Sequence, residues 1–213
     1  MSGPSSSRFR VVPFLLLILC LGLAIVGYGW YSYRQPDAIL NRGRAAIARS
    51  DFDSAFVLAD QLESRREVSL SHLLRGELFL AQNRFPEALH QFNQIKESGD
   101  IHLRTALLSG RCLLEMRNLP EAEKVYSYVL EMDPDQIDAY RGLAAIAYDF
   151  GLLTRSLDYL DQVVKRDPGD GRAHRFQGLI HKDMAAYGEA EQSYRKALEC
   201  SLPPAAKEEV RKE

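Results

Sequence analysis

The sequence predicts an all-α protein: five copies of a two-helix hairpin that follow one apolar segment long enough to cross a membrane. Two observations support the repeats. Small and aromatic residues recur at fixed positions, and the copies begin at intervals of 33, 34, 34 and 34 residues. A third observation supports the membrane segment, since residues 11–33 contain no charged side chain. Such spacing is typical of repeat arrays, in which each hairpin buries its free face against the next.

The N-terminal region is expected to anchor the chain. Residues 1–10 are rich in serine and predict a disordered tail. Residues 11–33 would form a helix of about 34 Å, enough for a hydrocarbon layer of about 30 Å. A cleaved secretory signal and a lipoprotein segment ending at Cys20 remain alternatives, although the bulky Leu19 stands where a lipoprotein needs a small residue.

The orientation in the membrane follows from the flanking arginines. Arg8 and Arg10 precede the apolar segment, whereas Arg34, Arg42 and Arg44 follow it. Two of the three later arginines fall inside the first predicted helix, so we expect the N-terminus in the cytoplasm and the repeats outside it. The expected location is a bacterial inner membrane, crossed once.

Residues 171–202 form the copy in which the repeat pattern is clearest. Counting from its first residue, Gly178 takes position 8, Tyr187 position 17, Ala190 position 20 and Tyr194 position 24. Small residues at positions 8 and 20 let the two helices approach closely, and we expect both tyrosines to fill the space around the crossing.

The other copies carry equivalent residues at the same positions. They span residues 36–68, 69–102, 103–136 and 137–170, and residues 203–213 begin a capping helix or a further, truncated repeat. Substitutions are small for small or apolar for apolar, as shown by Gly43, Phe52, Ala55; Gly76, Phe85, Ala88, Phe92; Gly110, Leu119, Ala122, Tyr126; and Ala144, Leu153, Ser156, Leu160.

Residues 36–202 therefore resemble the tetratricopeptide repeat (TPR) family. The resemblance implies a right-handed solenoid whose first helices line a concave surface, and binding of protein or peptide partners through positions 2, 5, 9, 12 and 13. In the third to fifth copies these positions include six basic residues and one tyrosine, and three aspartates, Asp138, Asp149 and Asp183, dilute the positive charge. The six basic residues and the tyrosine are Arg104, Arg111, Arg141, Tyr148, Arg172, Arg175 and Lys182. Arginine forks suit carboxylates, so an acidic peptide segment or a C-terminal carboxylate is the expected ligand, while ordinary solvation of the helix face is the alternative.

One ligand known for the family fits poorly. Some members clamp the terminal carboxylate of a chaperone with Lys and Asn at positions 5 and 9 of one repeat, Asn at position 6 of the next, and Lys and Arg at positions 2 and 6 of the third. Here the corresponding residues are Leu107, Arg111, Gly142, Arg172 and Phe176. Only Arg172 matches, so we do not expect this clamp.

Other functions find no support in the composition. Lys and Arg number 27 against 29 Asp and Glu, and this balance argues against nucleic acid as a partner. The three cysteines form no metal-ligand spacing, and the sequence lacks nucleophile, phosphate-loop and HExxH motifs. We therefore expect no catalytic residues, no metal, no cofactor and no small-molecule substrate.

The sequence predicts a non-catalytic, membrane-anchored scaffold that binds proteins, with a role in assembly, secretion or maturation of envelope proteins. The alternative is an anchored regulatory or docking subunit of an enzyme or import complex whose catalytic part lies elsewhere.

Overall fold

The computed structural model describes residues 35–96, 99–200 and 204–212, and within them it contains eleven helices and no strand. The predicted tail and apolar segment, residues 1–33, lie outside this range. The helices are α1 (Pro36–Ala48), α2 (Phe52–Ser64), α3 (Val68–Ala81), α4 (Phe85–Phe92), α5 (Asp100–Glu115), α6 (Leu119–Met132), α7 (Ile137–Asp149), α8 (Leu153–Arg166), α9 (Gly171–Asp183), α10 (Tyr187–Glu199) and α11 (Pro204–Lys212). The predicted all-α class is confirmed. Within the same residues, no helix combines the length and apolarity that a bilayer crossing requires.

The turn inside each hairpin has the same backbone geometry. In all five, one residue adopts a left-handed conformation, with φ between 58° and 73°: Ser50, Asn83, Arg117, Gly151 and Ala185. This residue and the next donate backbone hydrogen bonds to carbonyls in the last turn of the preceding helix, for example Ala185 to Lys182 and Ala186 to His181. The bonds satisfy carbonyls that a helix end leaves unpaired, and they reverse the chain tightly.

The chain divides into two compact units, one ending at Leu78 and the other beginning at Phe79. In the first unit, Gly43 of α1 lies against Leu74 of α3, and a Cβ at Gly43 would approach the Leu74 side chain to 2.3 Å. Arg44 also reaches α3, where it binds Glu77 through two hydrogen bonds of 2.8 and 2.9 Å. Contacts of both kinds hold consecutive first helices together.

In the second unit, the ring of Tyr126 is wedged between two first helices. Tyr126 lies on α6, and added Cβ atoms at Gly110 of α5 and Gly142 of α7 would meet its ring at 2.9 and 2.3 Å. The predicted close approach at Gly110 is therefore present, and Gly142 adds a second that the repeat pattern does not reveal. Burial raises the pKa of the Tyr126 hydroxyl well above its ordinary value, so the ring stays neutral inside the core.

Residue sizes at positions 8 and 24 compensate one another. Gly178 is paired with Tyr194, whose ring an added Cβ would approach to 2.6 Å, whereas the fourth hairpin pairs the larger Ala144 with the smaller Leu160 in one buried cluster. Ser156 replaces alanine at position 20 of that hairpin, and its buried hydroxyl donates to the carbonyl of Ala144 at 2.7 Å. The polar atom is thus satisfied where it is buried.

The expected burial of Tyr187 is wrong. Its side chain is 70% exposed, whereas the equivalent Leu119 is 8% exposed. In the third hairpin, the core around Leu119 receives Tyr159 from the second helix of the following hairpin. Burial at position 17 of the third hairpin thus includes a contribution from the next hairpin.

Candidate functional site

The predicted binding residues lie on three first helices of the second unit. Arg104 and Arg111 are on α5, Arg141 and Tyr148 on α7, and Arg172, Arg175 and Lys182 on α9. The structure connects several of them through carboxylates of the neighbouring helices, and it gives them different environments.

Arg104 lines a cleft of about 540 Å³ between α5 and the start of α7. Leu103, Leu107 and Leu108 provide its apolar wall. Its polar residues are Arg104, Asp100, Asp133, Gln136 and Asp138. The cleft therefore offers carboxylates as well as the Arg104 guanidinium, so it is less basic than Arg104 alone would make it.

Arg141 is held by two carboxylates of the same chain. Its Nε and Nη2 donate to Oδ2 of Asp170 at 2.8 and 2.6 Å, and its Nη1 donates to Asp138. Burial opposes the charge of the guanidinium, but the hydrogen bonds and Coulomb attraction to Asp170 and Asp138 outweigh it and raise the pKa of Arg141. Arg141 thus serves first as a structural contact between α7 and the start of α9.

Asp170 is the buried centre of this arrangement. Its other oxygen, Oδ1, accepts hydrogen bonds from the backbone N–H groups of Arg172 and Ala173 at 3.0 and 3.2 Å, which makes it the N-cap of α9. The residue is 5% exposed. One carboxylate therefore both starts a helix and binds the preceding hairpin.

Tyr148 and Arg175 also bind neighbouring carboxylates. The Tyr148 hydroxyl donates to Asp183 at 2.6 Å, and this bond, with smaller effects of burial and nearby acids, raises the pKa of Tyr148 to about 12. Its ring meets the edge of Phe176 at 5.3 Å between centroids. Arg175 donates to Glu209 of α11 at 3.2 Å, where both side chains are largely exposed.

Arg111 and Arg172 differ from the other predicted residues because they are exposed and also lack a carboxylate partner within the described residues. Both residues are exposed, and within the described part of the chain neither side chain takes part in an ion pair. Lys182 lines a separate cleft against α10 and α11. Of the seven predicted residues, Arg111 and Arg172 are therefore the arginines whose forks are open to an external carboxylate.

The repeat pattern alone did not identify Asp170. Its position immediately before α9, after Pro168 and Gly169, is typical of an N-cap, and that signal was available in the sequence. Its pairing with Arg141 was not, because it depends on how consecutive hairpins stack.

Comparisons with known proteins identify the repeats. Two family models, both described as tetratricopeptide repeat, match residues 40–100 and 113–180. The tetratricopeptide repeat-containing protein trd-1 of Caenorhabditis elegans is 25% identical over 148 residues, which are 70% of this chain and 18% of the relative. Hsp70-Hsp90 organizing protein 1 of Glycine max is 25% identical over an alignment of 129 residues that covers 56% of this chain and 23% of the relative. The chain thus matches about a fifth of the length of these relatives.

Solved structures share the fold. MamA from Desulfovibrio magneticus RS-1 superimposes with a TM-score of 0.64 at 16% identity, covering 78% of this chain and 94% of MamA. YrrB, described as a TPR protein with an unusual peptide-binding site, superimposes with a TM-score of 0.59 at 15% identity, covering 82% of this chain and 91% of YrrB. At these identities the likeness shows the solenoid fold alone.

Proposed function

We propose that this chain, which is built from tetratricopeptide repeats, is a non-catalytic scaffold anchored in a membrane through residues 11–33. The repeats support a role in protein-protein interactions. Its partner is a protein segment that carries carboxylates and binds along the first helices α5, α7 and α9. A role in assembly, secretion or maturation of envelope proteins fits an array that lies outside the cytoplasm, in a bacterial inner membrane.

The open forks of Arg111 and Arg172 carry this proposal. Each guanidinium can bind a carboxylate with two parallel hydrogen bonds, and each lies on the first-helix face that TPR proteins use for extended ligands. Arg141 and Arg175 contribute less, because Asp170 and Glu209 already occupy them.

The test compares partners of the full chain with those of two double variants. Arg111→Glu with Arg172→Glu reverses both open charges, whereas Lys165→Glu with Lys196→Glu makes the same charge change on the exposed faces of the second helices α8 and α10. Each protein is purified in nanodiscs after exposure to extract, and bound proteins are quantified by mass spectrometry. We expect the arginine pair, and not the lysine pair, to lose acidic partners. An unchanged partner list would sink the proposal.

Arg141→Glu is unsuitable for this test. It would place a second carboxylate against the buried Asp170, so a lost partner would report a damaged fold.

Topology is tested separately. A reporter that is active only in the cytoplasm, fused after Glu213, should stay inactive, and the same reporter fused before Met1 should be active. The reverse result would place the repeats in the cytoplasm and favour the docking-subunit alternative.

A docking role has one specific point in its favour. Two plant relatives are named as Hsp70-Hsp90 organizing proteins. The clamp residues found in some TPR co-chaperones match this chain only at Arg172, however, so a chaperone terminal carboxylate is a weaker candidate than an internal acidic segment.

A further inference from the structure

The cleft beside α5 adjoins one of the two open arginines. Its volume is about 540 Å³, and its apolar wall is formed by Leu103, Leu107 and Leu108, so we call it the leucine cleft. Pockets that hold small ligands measure roughly 300 to 1,000 Å³. The leucine cleft therefore has room for an apolar side chain of a bound segment.

The wall of the leucine cleft is held in place by the core beneath it. Leu103 and Leu107 are partly buried, and both pack against the buried cluster that contains Leu113, Ala139 and Leu143. The surface that remains to these two leucines lines the cleft. A bound side chain would thus cover apolar surface that is already ordered, and the protein would lose little conformational entropy on binding.

Two of the three carboxylates in the cleft are engaged within the chain. Asp133 accepts a hydrogen bond from Nε2 of Gln136 at 2.6 Å, and Asp138 accepts one from Arg141. Arg104 also interacts within the chain. These charged groups are satisfied without a ligand, so the surface that the cleft offers to a partner is mainly its apolar wall.

The charge that selects a ligand comes from Arg111, one helical turn beyond Leu107. Residues four apart lie on the same face of a helix, so the two side chains are neighbours, separated by a rise of about 6 Å. Arg111 is exposed, and within the described residues its side chain takes part in no ion pair. The third carboxylate of the cleft, Asp100, lies about 16 Å from Arg111 along α5, beyond the screening length of about 8 Å. Asp100 therefore does not cancel the attraction of Arg111 for a carboxylate.

The spacing along α5 sets the spacing required in the ligand. An extended chain advances about 3.3 Å per residue, so two residues cover the rise of about 6 Å between Leu107 and Arg111. Side chains two residues apart also point to the same side of an extended segment. Both the distance and the direction are therefore met when the ligand's apolar side chain and its carboxylate are two residues apart.

We infer that the acidic segment bound by this protein carries a large apolar residue two positions from an Asp or Glu. The apolar side chain enters the leucine cleft, and the carboxylate binds the Arg111 guanidinium. This inference rests on the proposed function and specifies its ligand: acidity alone does not suffice, because the apolar residue fills the cleft beside the open arginine.

The test selects ligands from a displayed library of random peptides of about 12 residues, which span about 40 Å when extended. The target is the full chain in zwitterionic nanodiscs, and the library is first depleted on empty nanodiscs. We expect enrichment of Leu, Ile, Met or Phe two positions from Asp or Glu. Arg111→Gln should lose the acidic residue of this pattern. Lys165→Gln, a matched loss of one exposed charge on α8, should select the same pattern as the parent.

An enriched peptide is then synthesised, and its affinity is measured by fluorescence anisotropy. Replacing its apolar residue with Ala should weaken binding at least about tenfold, because a large side chain no longer fills the cleft. The same replacement should matter less against Leu107→Ala, since both changes remove one contact. The peptide change leaves the protein untouched, so a folding defect of Leu107→Ala cannot produce the first result.

The outcomes separate this inference from the proposed function. Enriched peptides that carry Asp or Glu without an apolar residue two positions away would overturn the inference and leave the proposed function standing. A selection without acidic residues would overturn both. Equal affinity of the synthetic peptide and its Ala variant, or an equal loss against the parent and Leu107→Ala, would also overturn the inference.

Discussion

Replacing Asp170 should destabilise the fourth and fifth hairpins more than replacing any exposed acid of the same network. Its loss as an N-cap costs about 1 kcal/mol. Breaking its pair with Arg141 costs less than the 3 to 5 kcal/mol of a fully buried pair, because the Arg141 side chain is 35% exposed and keeps Asp138. We therefore assign about 1 to 2 kcal/mol to the loss of the ion pair between Asp170 and Arg141. Asp170→Ala should therefore lower the free energy of unfolding by about 2 to 3 kcal/mol.

Two further substitutions separate the two contributions. Asn is as good an N-cap as Asp, so Asp170→Asn should keep the cap, lose the ion pair and cost about 1 to 2 kcal/mol. Asp138→Asn removes the other ion-pair partner of Arg141. Because the Asp138 side chain is 71% exposed, this substitution should cost about 0.5 kcal/mol or less.

The measurement is urea unfolding of the full chain in non-ionic detergent, followed by circular dichroism at 222 nm. Because a repeat array can unfold in parts, hydrogen exchange of α9 provides a second, local readout. The expected order of destabilisation is Asp170→Ala, Asp170→Asn, then Asp138→Asn. If Asp170→Ala costs no more than Asp138→Asn, the double role assigned to this carboxylate is refuted.

Three further predictions concern single residues of the second unit. Gly142→Ala should cost about 1 to 3 kcal/mol because its Cβ would meet the Tyr126 ring at 2.3 Å, whereas Gly188→Ala, which has open space, should leave urea stability unchanged or raise it by up to about 1 kcal/mol. Ala185→Gly should raise the free energy of unfolding by about 0.5 to 1 kcal/mol, since the left-handed φ of 58° strains alanine; a lower midpoint in urea would contradict this. The raised pKa of Tyr148, about 12, predicts a stabilising contribution that is complete below pH 10 and lost as pH rises through 12. Tyr148→Phe should weaken that alkaline loss of stability, and an identical pH profile would argue against the hydrogen bond.

Contacts within one hairpin could be predicted from the sequence. The glycine at position 8 and the aromatic ring at position 24 follow from helix periodicity, and Gly110 and Gly178 lie against the expected rings. Apolar spacing also predicted the all-α fold, because each helix buries one face whatever its neighbours are.

Contacts between hairpins could not be predicted in the same way. Gly142 touches a ring of the preceding hairpin, Arg141 pairs with a residue 29 positions later, and Tyr187 is exposed although the equivalent Leu119 is buried. Each depends on the rotation and rise from one hairpin to the next. A repeat pattern gives equal weight to equivalent positions, whereas the stack buries some and leaves others open.

This distinction changes what the predicted basic surface can bind. A ligand carboxylate that approaches Arg141 must compete with Asp170, which is already buried and hydrogen-bonded, so it gains only the difference between two similar ion pairs. Displacing Asp170 would also remove the cap of α9, which adds about 1 kcal/mol to the cost. At Arg111 and Arg172 no such exchange is needed, and a ligand there gains the full interaction. Affinity for an acidic segment should therefore depend on these two exposed arginines, although Arg141 lies between them in the order of the first helices.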